Sequence, residues 1–466
     1  MSFVTQTELR GRLARTLSDL YGTEVPAYTT LLDVAQEVNL DFQAAHPELA
    51  QTFGSIERVT AERHGAIRVG STTELAQVAS IFAAAGMFPV NFYDLRDAKP
   101  NPIPVVSTAF RPIDRAELAK NPFRVFTSLL VPEDRRFFTE DVERALTEFI
   151  ARRVLFSERL LELAGASVRD GGLPAEEAAE YLELTAAAFA LSDDPVDRDW
   201  YDRLEAISSV AADIGGVAST HINHLTPRVL DIDELYRRME GRGITMIDSI
   251  QGPPRWDGPD LLLRQTSFKA LSEPRVFAES DGSTSAGEMR VRFGEVEARG
   301  IALTPTGRSS YDQMMSLTDQ RQAETGRPRA EVAREVWSAN CPSGDRDLIL
   351  ADFAYFTFHA PLQGAAGEPP ADLVAMLDGG WLRAEPIVYE DFLPRSAAGI
   401  FASNLSGDGA VDASQGETTR DAEWMSEHIG VRVLNSIDIY AAERQDSLVA
   451  ALRSLNLDVH EITRPW

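Results

Sequence analysis

The chain has 466 residues, of which 44% are apolar and 25% are charged, with 31 Gly and 25 Pro. That balance is typical of a folded globular protein and excludes collagen, coiled-coil and disordered chains. Asp and Glu total 72 against 45 Lys and Arg, a formal net charge of −27. Such a chain repels nucleic-acid phosphates and anionic lipids, so we expect neither a nucleic acid nor a membrane as a partner.

Cysteine content and the N-terminal residues indicate the compartment. Cys341 is the only cysteine, which excludes an internal disulfide and a thiolate metal cluster and is typical of the reducing cytoplasm. The first residues lack the basic stretch and apolar stretch of a secretory signal, and no apolar run approaches the ~18 residues of a membrane span. We therefore expect a cytoplasmic protein; the sequence makes no prediction about its oligomeric state.

The first third of the chain predicts two kinds of structure. Residues 1–60 are predicted to be a helical N-terminal region, because leucines recur there at helical spacing. Residues 61–138 predict a first β-α-β-β-β module. Its elements are the strand HGAIRV, a helix from Thr73 to Gly86, and the strands FPVNFYDL, PVVSTAF and FRVFTSLLV.

The pattern changes to long amphipathic helices over residues 139–208, which we interpret as a helical insertion. A second β-α-β-β-β module is predicted for residues 209–308. Its elements are the strand STHINHL, the helix DIDELYRRMEGRG, and the strands ITMIDSI, LLLRQTSFKAL and MRVRFGEVEARG. Residues 309–466 are expected to be a C-terminal α/β region that completes the pocket, with IVYEDFL as a short strand and the Gly/Ser/Asp-rich residues 403–417 as a loop. Together, these predicted elements indicate an α+β fold.

Two of the seven histidines begin the two proposed modules: His64 in HGAIRV and His224 in HINHL. A single histidine of this kind is most often a partly buried structural residue, but equivalent placement in two modules favours a shared site. A carboxylate on the last strand of the second module, Glu295 or Glu297, would complete a set of two imidazoles and one carboxylate.

Two imidazoles and a carboxylate form the facial triad typical of non-haem Fe(II), which leaves positions for substrate and O₂. The spacing does not show whether Glu295 or Glu297 is the ligand, because both side chains point to the same face of a strand. A solvated Glu-x-Glu edge strand is a common alternative. His221 is an alternative ligand to His224, although three residues along a strand it would face the opposite side.

Five separated motifs resemble the 2-oxoadipate dioxygenase/decarboxylase family of the vicinal oxygen chelate superfamily, whose barrels consist of paired β-α-β-β-β modules. The motifs are HGAIR, NHLTPR, RQTSFKAL, FGEVEARGIALTPTGR and FLPRSAAGIFASNL. The resemblance implies a vicinal oxygen chelate-like β-barrel and, as metal ligands for Fe(II), His64, His224 and Glu295.

The resemblance also implies substrate-binding residues. Arg68 in HGAIR falls at the place of the family's substrate-binding arginine, although an arginine there would otherwise be interpreted as a surface residue paired with a carboxylate. Arg395 and Ser396 in FLPRSAAG fall at a second substrate contact, and arginine at 395 departs from the apolar residue expected there. Gln265 and Ser267, with Thr266 between them, are further pocket candidates.

The function implied by the resemblance is Fe(II)-dependent conversion of 2-oxoadipate and O₂ to D-2-hydroxyglutarate and CO₂ in lysine catabolism, with no separate 2-oxoglutarate. Two alternatives stay open: another vicinal oxygen chelate enzyme, such as an extradiol dioxygenase or a glyoxalase-type isomerase, and a non-enzymatic metal- or ligand-binding protein. Arg68 favours a dianionic substrate over an aromatic one. The sequence contains no glycine-rich phosphate loop and no recognisable Ser/His/Asp arrangement, so no nucleotide cofactor is predicted.

Overall fold

A computed structural model describes residues 2–47, 56–98, 102–270, 272–290, 292–361, 367–393, 400, 403–404 and 418–466. Strands β1 to β14 are, in order, Phe3–Thr5, Arg63–Val69, Phe88–Asp94, Val105–Arg111, Arg124–Leu130, Gly172–Pro174, Val196–Asp197, His224–Pro227, Leu263–Ser267, Glu273–Ala278, Thr284–Met289, Glu295–Arg299, Phe356–His359 and Arg383–Pro386. Mixed α and β elements of this kind agree with the α+β expectation.

Helices α1 to α17 are, in order, Gln6–Glu24, Pro26–Ala45, Ile56–Ala61, Thr72–Ala84, Arg115–Lys120, Glu140–Arg152, Glu158–Asp170, Ala175–Phe189, Arg198–Glu205, Ser209–Gly215, Ile232–Gly241, Pro305–Thr325, Arg329–Asn340, Asp345–Leu350, Leu373–Asp378, Ala422–Ile429 and Ser436–Ser454. Within the described ranges, no helix combines the length and the apolar character needed to cross a bilayer.

The central sheet has five strands in the order β3-β4-β5-β2-β8. Strand β2 pairs in parallel with β5 and antiparallel with β8. Residues 61–138 contain the predicted strand, helix and three further strands in that order, with the short helix α5 as an unpredicted element between β4 and β5. The predicted helix begins where the Ser71 side chain accepts a hydrogen bond from the backbone N–H of Glu74 and is followed by Gly86, whose φ of +67° suits glycine.

Alternation along β2 divides the core into two faces. Ile67 and Val69 pack in the cluster that includes the N-terminal helices, whereas Ala66 packs with Phe126 in the cluster that includes the C-terminal region. Because side chains alternate along a strand, His64, Ala66 and Arg68 share the second face. The helices predicted for residues 1–60 and 139–208 are also present in the described ranges.

The second predicted module differs from expectation at residues 244–250, which form no strand. One isolated bridge joins Met246 to Phe268. The adjacent residues Met246 and Ile247 are both buried, a pattern that the alternation of a one-faced strand does not produce. The prediction of ITMIDSI as a strand is therefore wrong.

The predicted strand MRVRFGEVEARG is divided in two. Met289 ends β11, which forms a hairpin with β10, and Glu295 begins β12, which pairs with β9. Gly294 lies between them, and a Cβ there would lie 1.9 Å from the ring of Phe268. Glycine thus allows the chain to pass against this ring and to begin β12 at Glu295.

The predicted strand IVYEDFL is also wrong, since residues 387–393 contain only an isolated bridge from Val388 to Ile301. A few backbone hydrogen bonds, such as that from the N–H of Tyr389 to the carbonyl of Gly300 over 2.9 Å, and several side chains bind this segment. The backbone N–H of Glu390 donates to the Tyr440 hydroxyl over 2.8 Å, and the Arg299 guanidinium donates to the carbonyl of Asp391 over 3.0 Å. The predicted loop at 403–417 lies, apart from residues 403 and 404, outside the described residues.

Candidate metal centre

Neighbouring strands bring the two predicted histidines together. His224 begins β8, where it lies opposite Ala66 of β2, two residues from His64. The ring centroids of His64 and His224 are 5.4 Å apart at an interplanar angle of 88°. Strand β12 reaches the same place through a parallel bridge between Arg228 and Glu297, which brings Glu295 beside both rings.

His64, His224 and Glu295 each offer one ligand atom, and these three atoms lie within 4.8 Å of one another. Nε2 of His224 is 3.1 Å from Oε2 of Glu295, and Nε2 of His64 is 3.8 Å from Oε1. All three residues are at most 5% exposed, and neither Nε2 atom has a hydrogen-bond partner in the described part of the chain. Buried imidazole nitrogens that converge on a carboxylate without hydrogen bonds fit a divalent cation between them.

The protonation state of His224 also favours a metal between these residues. Burial lowers the pKa of His224 well below its usual range, and the neighbouring charge of His64 lowers it further. The neutral imidazole is the form that binds metals. For His64, burial opposes protonation, yet the Glu297 and Glu295 carboxylates raise its pKa overall.

Glu297 differs from Glu295 in what its carboxylate contacts. Its Oε2 lies 2.8 Å from Nδ1 of His64, on the side of the ring away from Glu295. Both Glu297 oxygens accept hydrogen bonds from Arg299, each over 2.8 Å. The Glu295 carboxylate therefore faces Nε2 of both histidines, whereas the Glu297 carboxylate lies behind the His64 ring. Strand alternation alone could not make this distinction.

A buried ionic network lies behind Glu297. Nη1 of Arg124 is 2.8 Å from Oε1 of Glu62, and Nη1 of Arg228 is 2.8 Å from Oε2 of the same carboxylate. Arg124 also pairs with Glu390. These side chains are no more than 6% exposed, so the network joins β5 and the residues that flank β2 and β8 to the segment 387–393.

Arg68 lies on the same face of β2 as His64 and is 4% exposed. Its Nη1 forms a buried ion pair with Asp213 of α10. The Asp213 carboxylate also accepts a hydrogen bond of 2.9 Å from the Asn223 amide and lies 3.3 Å from Nε2 of His221. Although burial opposes ionisation, His221 and Arg68 hold the pKa of Asp213 below its usual value.

These contacts give His221 a place away from the metal ligands. Its Nε2 is also 3.1 Å from the Asn223 amide nitrogen, and burial lowers its pKa to about 4. His221 precedes β8 and does not belong to the group that surrounds Glu295. The alternative in which His221 replaces His224 as a ligand has no support in this geometry.

The wall beside the triad is apolar. Phe126, Phe392 and Ile400 line a small pocket together with the triad and Gln265. The Phe392 ring centroid is 4.9 Å from that of His64 and 5.2 Å from that of Phe126. An apolar wall of this kind limits the access of water to the triad.

The weaker predicted pocket residues are held by partners. The Gln265 amide donates to Oε1 of Glu295, and the Ser267 hydroxyl accepts a hydrogen bond of 2.8 Å from the Asn404 amide. Thr266 is buried on the same strand. Arg395 and Ser396 lie outside the described residues, so their expected contact with substrate stays a prediction.

Sequence reasoning missed three contributors to the site. It did not single out Asp213, which pairs with Arg68 across 145 residues of sequence, or Asn223, which donates to Asp213. It assigned no role to Phe392, although this residue begins one of the quoted motifs. The pattern Glu297-x-Arg299 was the available sign that Glu297 is neutralised by its own strand, because residues two apart share a face.

The chain thus contains a candidate mononuclear metal centre with two imidazoles and one carboxylate. The family model for 2-oxoadipate dioxygenase/decarboxylase matches residues 13–404. A protein of that name from Mycobacterium tuberculosis is 52% identical over 439 residues, 94% of this chain and 97% of that one. Another from Pseudomonas putida is 39% identical over 469 residues, 98% of each chain.

A solved structure is similar over almost its whole length. The hydroxyglutarate synthase from Pseudomonas putida, crystallised in complex with 2-oxoadipate, superposes with a TM-score of 0.82 at 38% identity and covers 98% of this chain and 100% of that one. This chain belongs to the 2-oxoadipate dioxygenase/decarboxylase family.

Proposed function

We propose that this chain is an Fe(II)-dependent enzyme that converts 2-oxoadipate and O₂ to D-2-hydroxyglutarate and CO₂, as a step of lysine catabolism in the cytoplasm. The observation that carries the proposal is the convergence of His64, His224 and Glu295 in a chain that belongs to this family. The reaction balances: the C1–C2 bond breaks, C2 becomes the new carboxylate, and C3 gains a hydroxyl group, so both atoms of O₂ enter the products.

The triad would hold Fe(II) on one face and leave the opposite positions open. When bound, Fe(II) supplies a site for the carboxylate and keto oxygens of the 2-oxo acid and the means to activate O₂. Oε2 of Glu297 lies 2.8 Å from Nδ1 of His64, and acceptance of the Nδ1 proton there would fix the ring with Nε2 towards the centre. Gln265 restrains the Glu295 carboxylate by donating to it.

Arg68 would bind the distal carboxylate of the substrate. A guanidinium has five N–H donors, so Arg68 can pair with a second carboxylate while it keeps Asp213. Asp213 in turn holds the guanidinium on the inner face of β2. The methylene groups of the substrate would lie along Phe126, Phe392 and Ile400, with Ser267, Arg395 and Ser396 as additional contacts.

We also infer that the chain has the vicinal oxygen chelate-like barrel, with the two modules at residues 61–138 and 209–308. The antiparallel pairing of β2 with β8 supports this arrangement, since it joins the first strand of one module to that of the other. The pairing of β12 with β9 supports it as well, because it presents Glu295 to both histidines.

Products formed under ¹⁸O₂ test the proposal. Fe(II)-reconstituted protein supplied with 2-oxoadipate is expected to yield 2-hydroxyglutarate with one labelled oxygen in the hydroxyl group and one in the new carboxylate. Chiral chromatography is expected to show the D enantiomer. An extradiol dioxygenase or an isomerase of the same superfamily would leave 2-oxoadipate unchanged, and a metal-sequestering protein would bind Fe(II) without forming any product.

A further inference from the structure

A second cavity adjoins the candidate metal centre across the Phe392 ring. Its volume is about 490 Å³, within the ~300–1,000 Å³ range of small-molecule sites. Strand β3, the segment that leads into α17, and Tyr389 form its walls. Phe392 lines both this cavity and the small pocket around the triad, so this residue lies between the two spaces.

Arg308 is the one charged side chain among the described residues that line this cavity. Its guanidinium is 39% exposed, and its Nε lies 3.5 Å from the Asp312 carboxylate one turn along α12. An exposed pair of this kind is weak, so the Arg308 guanidinium can exchange Asp312 for a carboxylate of an incoming ligand. In a chain with a net charge of −27, a local cation at the mouth of a cavity determines where a dianion approaches.

The backbone of the cavity wall is strained at Leu262. Leu262 has a φ of 55° and Asn91 a φ of 60°, and both line the cavity. Leucine rarely adopts this left-handed conformation, and strain of this kind concentrates at functional sites. Asn91 is held by a hydrogen bond of 2.9 Å from its amide to the Ser436 hydroxyl, so the wall keeps one shape.

Two tyrosines hold the backbone of Phe392. Its N–H donates to the Tyr93 hydroxyl over 3.2 Å, and its carbonyl accepts from the Tyr389 hydroxyl over 2.8 Å. Both tyrosines line the cavity. With its backbone held on both sides, Phe392 can open the passage only by turning its side chain about χ1 or χ2.

We propose that this cavity is the route by which the anionic 2-oxo acid reaches the metal centre. Arg308 draws the dianion into the cavity, and the Phe392 ring is the partition that the substrate passes. The inference rests on the proposed function, which names the substrate, but it adds a residue and a path that the reaction itself does not require.

The first experiment compares Arg308→Gln with Arg159→Gln in the full-length, Fe(II)-loaded protein. Arg159 is exposed in the helical insertion and paired with Glu180, so its replacement makes the same change of net charge away from the cavity. We expect Arg308→Gln to lower kcat/KM for 2-oxoadipate about five- to tenfold at ~0.02 M salt and less than about twofold at ~0.5 M salt, with kcat unchanged. Arg159→Gln is expected to match the wild type.

A second experiment changes the charge at the cavity without changing Arg308. Ile437 lines the cavity and is 40% exposed, whereas the only cysteine, Cys341, is buried and its pKa is raised to about 12. Ile437→Cys can therefore be labelled selectively with methanethiosulfonates that carry either a sulfonate or a trimethylammonium group. We expect the anionic label to lower kcat/KM for 2-oxoadipate at least about fivefold relative to the cationic label.

Anaerobic association rates of 2-oxoadipate, measured by rapid mixing, separate the two hypotheses because no turnover occurs without O₂. Equal rates for wild type, Arg308→Gln and both labelled forms would overturn the proposed route while leaving the proposed function intact. Normal association followed by no turnover in air would contradict the proposed function alone. Protein that neither binds nor consumes 2-oxoadipate would contradict both.

Discussion

Oε2 of Glu297 lies 2.8 Å from Nδ1 of His64, and both side chains are fully buried. The other nitrogen of that ring faces Glu295 and His224. A histidine that binds a metal through one nitrogen commonly donates its other N–H to a carboxylate, which fixes the ring and raises its basicity. Glu297 therefore has the position of an orienting residue, and Glu295 that of a ligand.

Glu297→Gln tests this distinction. Glutamine keeps the size of the side chain but loses the charge that His64 and Arg299 share, so we expect the affinity for Fe(II) to fall ~10–100-fold. Anaerobic titration with Fe(II) measures the dissociation constant. Glu288→Gln on the exposed face of β11 is the matched control; an unchanged constant in Glu297→Gln would contradict the orienting role.

Removal of either imidazole is expected to abolish metal binding and O₂ consumption. His64→Ala and His224→Ala each leave two ligands, too few for a stable site. The fold should persist, because an open catalytic site is seldom the main support of so large a core. Metal content, O₂ uptake and circular dichroism check these outcomes, with the exposed His428→Ala as control. Turnover retained in either buried variant would refute the ligand assignment.

Arg68→Ala is expected to lose recognition of the distal carboxylate. Charge-assisted hydrogen bonds of ~1.5–3 kcal/mol correspond to a loss of roughly ten- to a few hundred-fold in kcat/KM for 2-oxoadipate, while metal content stays unchanged. The variant should also discriminate less between 2-oxoadipate and 2-oxohexanoate, which ends in a methyl group.

A purely structural Arg68 gives a different result. Loss of its ion pair with Asp213 would then impair both substrates equally and lower thermal stability with them. The ratio of the two specificity constants, measured in wild type and variant, decides between these roles. An unchanged ratio would indicate that another residue binds the distal carboxylate, and Arg395 would be the first to test.

Stability depends on the buried network behind the site. Glu62 is fully buried between Arg124 and Arg228, so Glu62→Ala leaves two buried cations without this partner. We expect the free energy of unfolding to fall by ~3–5 kcal/mol, measured by urea unfolding. The exposed pair of Glu335 with Arg327 provides the control, where Glu335→Ala should cost less than ~1 kcal/mol.

Local pattern predicted the first module well, because its strands are short, apolar and separated by a capped helix. It failed at ITMIDSI and IVYEDFL, where isolated contacts, such as the bridge from Met246 to Phe268 and the hydrogen bond from the N–H of Glu390 to the Tyr440 hydroxyl, replace the continuous pairing of a strand. The alternation of apolar and polar residues in a sequence cannot distinguish such isolated contacts from the continuous hydrogen bonding of a strand in a sheet.

The same limit applies within the site. Spacing predicted that Glu295 and Glu297 share a face, but their different roles depend on β12 lying beside the end of β8. Asp213 reaches Arg68 from a helix 145 residues further along the chain, a contact that no local pattern contains. Only the choice of Glu295 over Glu297 as the third ligand depended on the family resemblance.

Oxygen uptake tests the central claim most directly. Fe(II)-reconstituted protein in an oxygen electrode is expected to consume one O₂ per 2-oxoadipate and to release one CO₂, without added 2-oxoglutarate and with loss of activity on chelation of the metal. Uptake that requires 2-oxoglutarate, or no uptake with 2-oxoadipate by protein that retains one Fe(II) per chain, would contradict the account.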